Sequence, residues 1–123
     1  MKQTYNNSEK LKSEKAISQL FSEGESVSAY PLRLVYLKNE TALKVGVSVS
    51  KRNFKKAVDR IRIKRLMREA YRLNKKQLID NNITNYSFMI LYINKEMPDF
   101  KLINTKMQAL FSKFNDRISK STT

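Results

Sequence analysis

VGVSVSKRNFKKAVDRIRIKRLMREAYR, residues 45–72, changes its hydrophobic rhythm part-way along, and that change decides the fold. The opening alternates. With Leu43, residues Val45, Val47 and Val49 share one side of an extended chain, while Lys44, Gly46, Ser48 and Ser50 share the other. A period of two marks a half-buried strand, here with a small, polar second face. From about Val58 the rhythm becomes that of a helix reaching Gln77. At about 100° per residue, Ile63, Leu66, Met67, Ala70 and Leu73 gather within an arc of roughly 120°, a stripe suited to packing on a sheet.

Working outward, Ser13–Glu23 predicts a first helix with Ile17, Leu20 and Phe21 on one face, and Gly24 suits a left-handed C-terminal cap. Spacing alone favours Ile17 and Phe21 as core. A weak strand at Ser26–Ala29 precedes a stronger one at Leu32–Leu37, closed by a turn at Asn39-Glu40. Downstream, YSFMILYI (Tyr86–Ile93) is apolar on both faces, as an interior strand is. Asp99 is placed to N-cap a last helix on which Phe100, Ile103, Met107, Leu110 and Phe114 recur at helical spacing. The order α-β-β-β-α-β-α predicts an α+β sandwich, helices on a sheet of four strands or fewer. The 123 residues suit a single domain, ordered over roughly 10–118 with frayed polar ends at 1–9 and 119–123.

The net charge is +14, from 25 basic and 11 acidic residues. Its distribution says more than its size. Residues 51–76 hold 12 basic side chains against Asp59 and Glu69, whereas each flank is worth only +2. Such an excess destabilises a lone fold by self-repulsion and suits a polyanionic partner.

Function classes fall away in turn. Histidine and cysteine are both absent, which removes the commonest general base and the thiolate metal sites. The carboxylates are scattered, with no Asp-x-Asp pair suggestive of a two-metal nuclease, and neither glycine sits in a phosphate-cradling loop. A protein-based active site is not indicated. No stretch approaches the roughly 20 apolar residues of a membrane helix, and the polar start, MKQTYNNSEK, has no signal region. The expected setting is cytoplasmic, with neither membrane nor DNA as partner.

The basic helix is the one concentrated signal. Arg60, Lys64, Arg68 and Arg72 step at i, i+4 as a ridge, with Arg65 beside it and Arg62 toward the other edge. Like charges at that spacing destabilise an isolated helix by roughly a few tenths of a kcal/mol per pair. An ordinary solvated face would interleave glutamates, yet Glu69 is the only acid after the first turn. A ridge of arginines matches phosphates instead. Ile61 is the exception, falling inside the basic arc between Arg68 and Arg72. Ser48 and Ser50, with Lys51 and Arg52 at the strand's end, form a second candidate surface for phosphate or sugar.

Residues 45–72 resemble the signature of the bacterial ribonuclease P protein component. That signature is a strand ending in Ser-Val-Ser-Lys-Lys/Arg, a loop, then Ala-Val-x-Arg-Asn-Arg-x-Lys-Arg-x-x-Arg-Glu and an aromatic. Ser48, Val49, Ser50, Lys51, Arg52, Ala57, Val58, Arg60, Arg62, Lys64, Arg65, Arg68, Glu69 and Tyr71 match in register. Ile17, Phe21, Gly24, Ser26 and Val27 echo the family's first helix and turn. Two positions depart: Ile61 replaces the family asparagine, and Ile17 stands where an aromatic is usual.

The resemblance implies a left-handed βαβ crossover and a subunit of the ribonucleoprotein that removes the 5′ leader from precursor tRNA. In that family the RNA subunit is the catalyst, using Mg²⁺ bound mainly by RNA. Carried over, Lys51, Arg52, Arg60, Arg62, Lys64, Arg65 and Arg68 contact the ribonuclease P RNA, with Arg72 continuing the ridge. Ile17, Phe21, Ser48 and Ser50 line a cleft for the leader. The alternatives are a ribosomal or other rRNA-binding protein and, from another class, a basic amphipathic anchor for a membrane surface or calmodulin-like partner.

Overall fold

The computed structural model describes residues 10–121. Along the chain run α1 (Glu14–Glu23), β1 (Glu25–Ala29), β2 (Leu32–Lys38), β3 (Lys44–Val49), α2 (Ala57–Ile79), β4 (Tyr86–Tyr92) and α3 (Phe100–Ser121). The strands form one sheet in the order β1-β2-β4-β3. Pairing is antiparallel at β1–β2 and β2–β4 and parallel at β3–β4. Parallel neighbours need a crossover, and α2 supplies it.

The position of β4 explains its unbroken apolar sequence. On one face Phe88, Ile90 and Tyr92 join Leu34, Tyr36 and Val45 beneath α2 and α3. Rings fix that side: Phe114 meets Tyr36 and Phe88 edge-on, each at 4.9 Å between centroids. On the other face Met89 packs with Val35 and with Leu20 of α1. Leu20 is fully buried, a contact contributing about 2 kcal/mol toward holding α1 on the sheet.

Local signals set the helix starts. Ser13 Oγ accepts from the Ala16 amide at 3.3 Å, and Asp99 Oδ1 accepts from the Leu102 amide at 2.9 Å. Asn39 builds the β2–β3 turn: its Oδ1 accepts from the Thr41 amide at 3.1 Å, and its Nδ2 donates to the Ala42 carbonyl at 2.9 Å.

Three expectations need correction. Gly24 is extended, at φ −74° and ψ 161°, so it is no left-handed cap. Its glycine answers close packing, because a Cβ there would lie 2.4 Å from the Leu20 carbonyl oxygen and 2.9 Å from that of Tyr36. The buried stripe of α2 is rotated from the expected one. Leu73 is 43% exposed, whereas Tyr71, Asn74 and Leu78 are buried with Ile63, Met67 and Ala70. Neighbouring α3 causes the rotation: Tyr71 meets Phe111 edge-on at 6.2 Å, and Asn74 Nδ2 donates to Asn104 Oδ1 at 2.7 Å. Phe21, core by spacing, is 50% exposed. Helix α3 ends at Ser121. The expected fraying of 1–9, 122 and 123 lies outside the described residues.

Candidate nucleic-acid interface

Helix α2 divides its basic side chains by their bearing. Arg62, Arg65 and Arg68 are exposed, and Lys64 is half-buried beside them. Arg60 lies nearer the core, on the same side of the helix as Tyr71, and bends back. Its Nη1 donates to the carbonyls of Phe54 at 2.8 Å and Lys55 at 3.0 Å. Arg60 thereby ties the β3–α2 loop to the helix, which has no side-chain cap at Lys56. Phe54 anchors the same loop from inside, buried with its ring 6.0 Å from Tyr92.

Arg72 is engaged as well. It forms an ion pair with Glu69 through Nη2 and Oε1, and Nε donates to Glu69 Oε2 at 3.2 Å. That hydrogen bond holds the Glu69 carboxyl below the usual carboxylate range and raises the Arg72 guanidinium in turn. Both groups are exposed, so the pair adds little stability. It does partly neutralise the C-terminal end of the ridge. The dense free charge therefore lies at Arg62, Arg65 and Arg68, with Ile61 among them, 54% exposed next to Val58 at 68%.

The second surface lies on the sheet face opposite α2 and α3. Strand register sets Ser48 beside Leu91, and Leu91 beside Arg33, in one row. The preceding row, Gly46–Met89–Val35, is covered by Leu20 and Leu11, so the small polar face of β3 is only partly open. Ile17 is half-buried in that cluster, and Phe21 projects from the same flank of α1. Arg33 Nη2 donates to Ser26 Oγ at 3.1 Å, adding a cation to this face that sequence reading had not singled out. Only the strand register could have shown it. Ser50 sits at the strand end, its Oγ accepting from the Arg52 amide at 3.1 Å, with Lys51 and Arg52 exposed in the turn.

The candidates therefore form two groups, Arg62–Arg68 on α2 and Ile17, Phe21 and Ser48 by the open sheet face, joined by the Ser50–Arg52 turn. Among the described residues no three carboxylates lie close enough to hold a metal ion, and no helix is long and apolar enough to cross a membrane.

Fold and site together define a small, strongly basic α+β protein that presents an arginine-rich crossover helix beside a half-open sheet face. The family model for ribonuclease P matches residues 5–115. The chain belongs to the ribonuclease P protein family. It is 41% identical over 110 residues to the ribonuclease P protein component of Porphyromonas gingivalis, covering 82% of this chain and 79% of that one. With the component from Chlorobium phaeobacteroides the identity is 35% over 129 residues, 91% and 87% of the two chains. The RNase P protein from Thermotoga maritima superposes with a TM-score of 0.71 at 23% identity, over 85% of this chain and 96% of that one. The Staphylococcus aureus protein gives 0.69 at 19% identity, over 85% and 93%. These two likenesses speak for the fold.

Proposed function

We propose that this chain is the protein subunit of a ribonuclease P ribonucleoprotein, promoting endonucleolytic removal of the 5′ leader from precursor tRNA. The observation that carries the reading is the exposed set Arg62, Arg65 and Arg68, on the helix that follows the Ser48–Arg52 strand end, in a chain of this family. Guanidinium groups so arranged bind phosphates of the ribonuclease P RNA, each contact releasing counterions. Lys51, Arg52 and Lys64 extend that surface, Arg60 shapes its loop, and Arg72 is its neutralised end.

The leader of precursor tRNA occupies the open sheet face, with Phe21 and Ile17 as its apolar wall and Ser48 and Ser50 as hydrogen-bonding floor. Exposed aromatic surface suits an unpaired base, which can stack on it. Catalysis belongs to the RNA subunit, with Mg²⁺ held by RNA. The protein contributes charge, position and affinity for substrate. The test is reconstitution: the protein should bind a bacterial ribonuclease P RNA far more tightly than ribosomal RNA fragments of equal length. Equal affinities would favour a general rRNA-binding role.

A further inference from the structure

Helix α1 lies across the sheet face along the Leu20 line, with different side chains on its two flanks. On the flank of Ile17 and Phe21 lies the surface just described. On the flank of Ala16 and Gln19 lies a cavity of about 730 Å³, bounded by the start of α1 and the β2–β3 turn. Lys10, Lys12, Lys38 and Lys44 line it, against the single acid Glu40. None of these lysines belongs to the basic segment of residues 51–76. Three separate parts of the chain bring them together.

We infer that this cavity is a second RNA-strand site, taking consecutive phosphodiesters of a single strand. Four ammonium groups around one concavity are compact donors suited to anionic oxygens. The wall is already organised. Asn39 Nδ2 donates to both the Ala42 carbonyl at 2.9 Å and Ser87 Oγ at 3.0 Å, fixing the turn that carries Glu40 between Lys38 and Lys44. A prearranged wall lowers the ordering cost of binding. A recess bounded by two elements suits a single strand, whose phosphates can reach ammonium groups on both walls.

Register places the site relative to the other one. Lys44 pairs with Ser87 and Ser87 with Leu37, four residues along the strands from the row Ser48–Leu91–Arg33. At about 3.3 Å per residue the rows are roughly 13 Å apart, with α1 between them. A strand held in one flank cannot slide into the other without crossing the helix. The cavity therefore takes a different RNA segment, and the inference does not depend on the leader assignment.

The experiment uses the full chain and a short oligouridylate. Lys38→Glu combined with Lys44→Glu is compared with Lys101→Glu combined with Lys106→Glu on α3, an equal change of net charge on other elements. The cavity pair should lose at least tenfold more affinity than the α3 pair. It should also flatten the logarithmic salt slope by about 1.4, the single-strand value for two phosphate contacts. Phe21→Ala should leave the effect of the cavity pair unchanged. Equal losses in the two charge-reversed pairs would overturn the inference. Amine-reactive labelling separates the phosphate sources: the oligonucleotide should protect Lys38 and Lys44, and inorganic phosphate at the same phosphate concentration should not. Equal protection by inorganic phosphate, or protection by anionic vesicles alone, would overturn it too.

Discussion

Arg60 donates from Nη1 to the carbonyl of Phe54 at 2.8 Å, so the first arginine of the α2 ridge organises the loop before it. Arg60→Ala should free that loop as well as weaken RNA binding. Amide exchange over residues 53–57 should accelerate in Arg60→Ala and not in Arg65→Ala. Similar exchange in both variants would show that the loop stands without Arg60.

Arg65 and Arg68 are exposed and have no structural task of that kind. Their double alanine variant should keep its thermal stability to within about 0.5 kcal/mol, as surface substitutions do. Its affinity for the RNA subunit should fall at least tenfold, with a shallower salt dependence. A folded variant of unchanged affinity and slope would remove these residues from the interface.

Phe21, at 50% exposure, tests the leader surface. Replacement by alanine should cost precursor tRNA more binding than mature tRNA in the reconstituted complex, by roughly the 1–3 kcal/mol of one base–aromatic stack. Equal losses on both substrates would make Phe21 a packing residue.

Gly24 predicts a purely structural effect. With a Cβ only 2.4 Å from the Leu20 carbonyl oxygen of α1 and 2.9 Å from the Tyr36 carbonyl oxygen of β2, Gly24→Ala must shift the turn between α1 and β1 away from both. Urea denaturation should show a loss of about 1–3 kcal/mol, the usual cost of overpacking. A midpoint equal to that of the unsubstituted protein would show that the turn can shift freely.

The strands and helices were legible because each carries its own periodicity, and β4 was recognisable as interior because neither of its faces is polar. Contacts between elements were not legible. The buried stripe of α2 turns toward Tyr71 and Asn74 because Phe111 and Asn104 stand opposite, and nothing within α2 announces α3. The ridge was visible as a run of arginines. That Arg60 bends to a loop and Arg72 to Glu69 depends on where each falls around the helix relative to the core. The packing role of Gly24 is not legible locally, since the approach of Tyr36 comes from another strand. The lysine cavity was invisible for the same cause: its charges are far apart in the chain and meet only where α1 crosses the sheet.

In the proposed division of labour this chain supplies charge and position and an RNA supplies the chemistry. The decisive assay is cleavage of precursor tRNA at low Mg²⁺ with RNA subunit alone, protein alone and both together. kcat/KM should rise steeply when the protein joins the RNA, and the protein alone should cleave nothing. Cleavage by the purified protein without RNA, or an RNA subunit indifferent to its addition, would contradict that division.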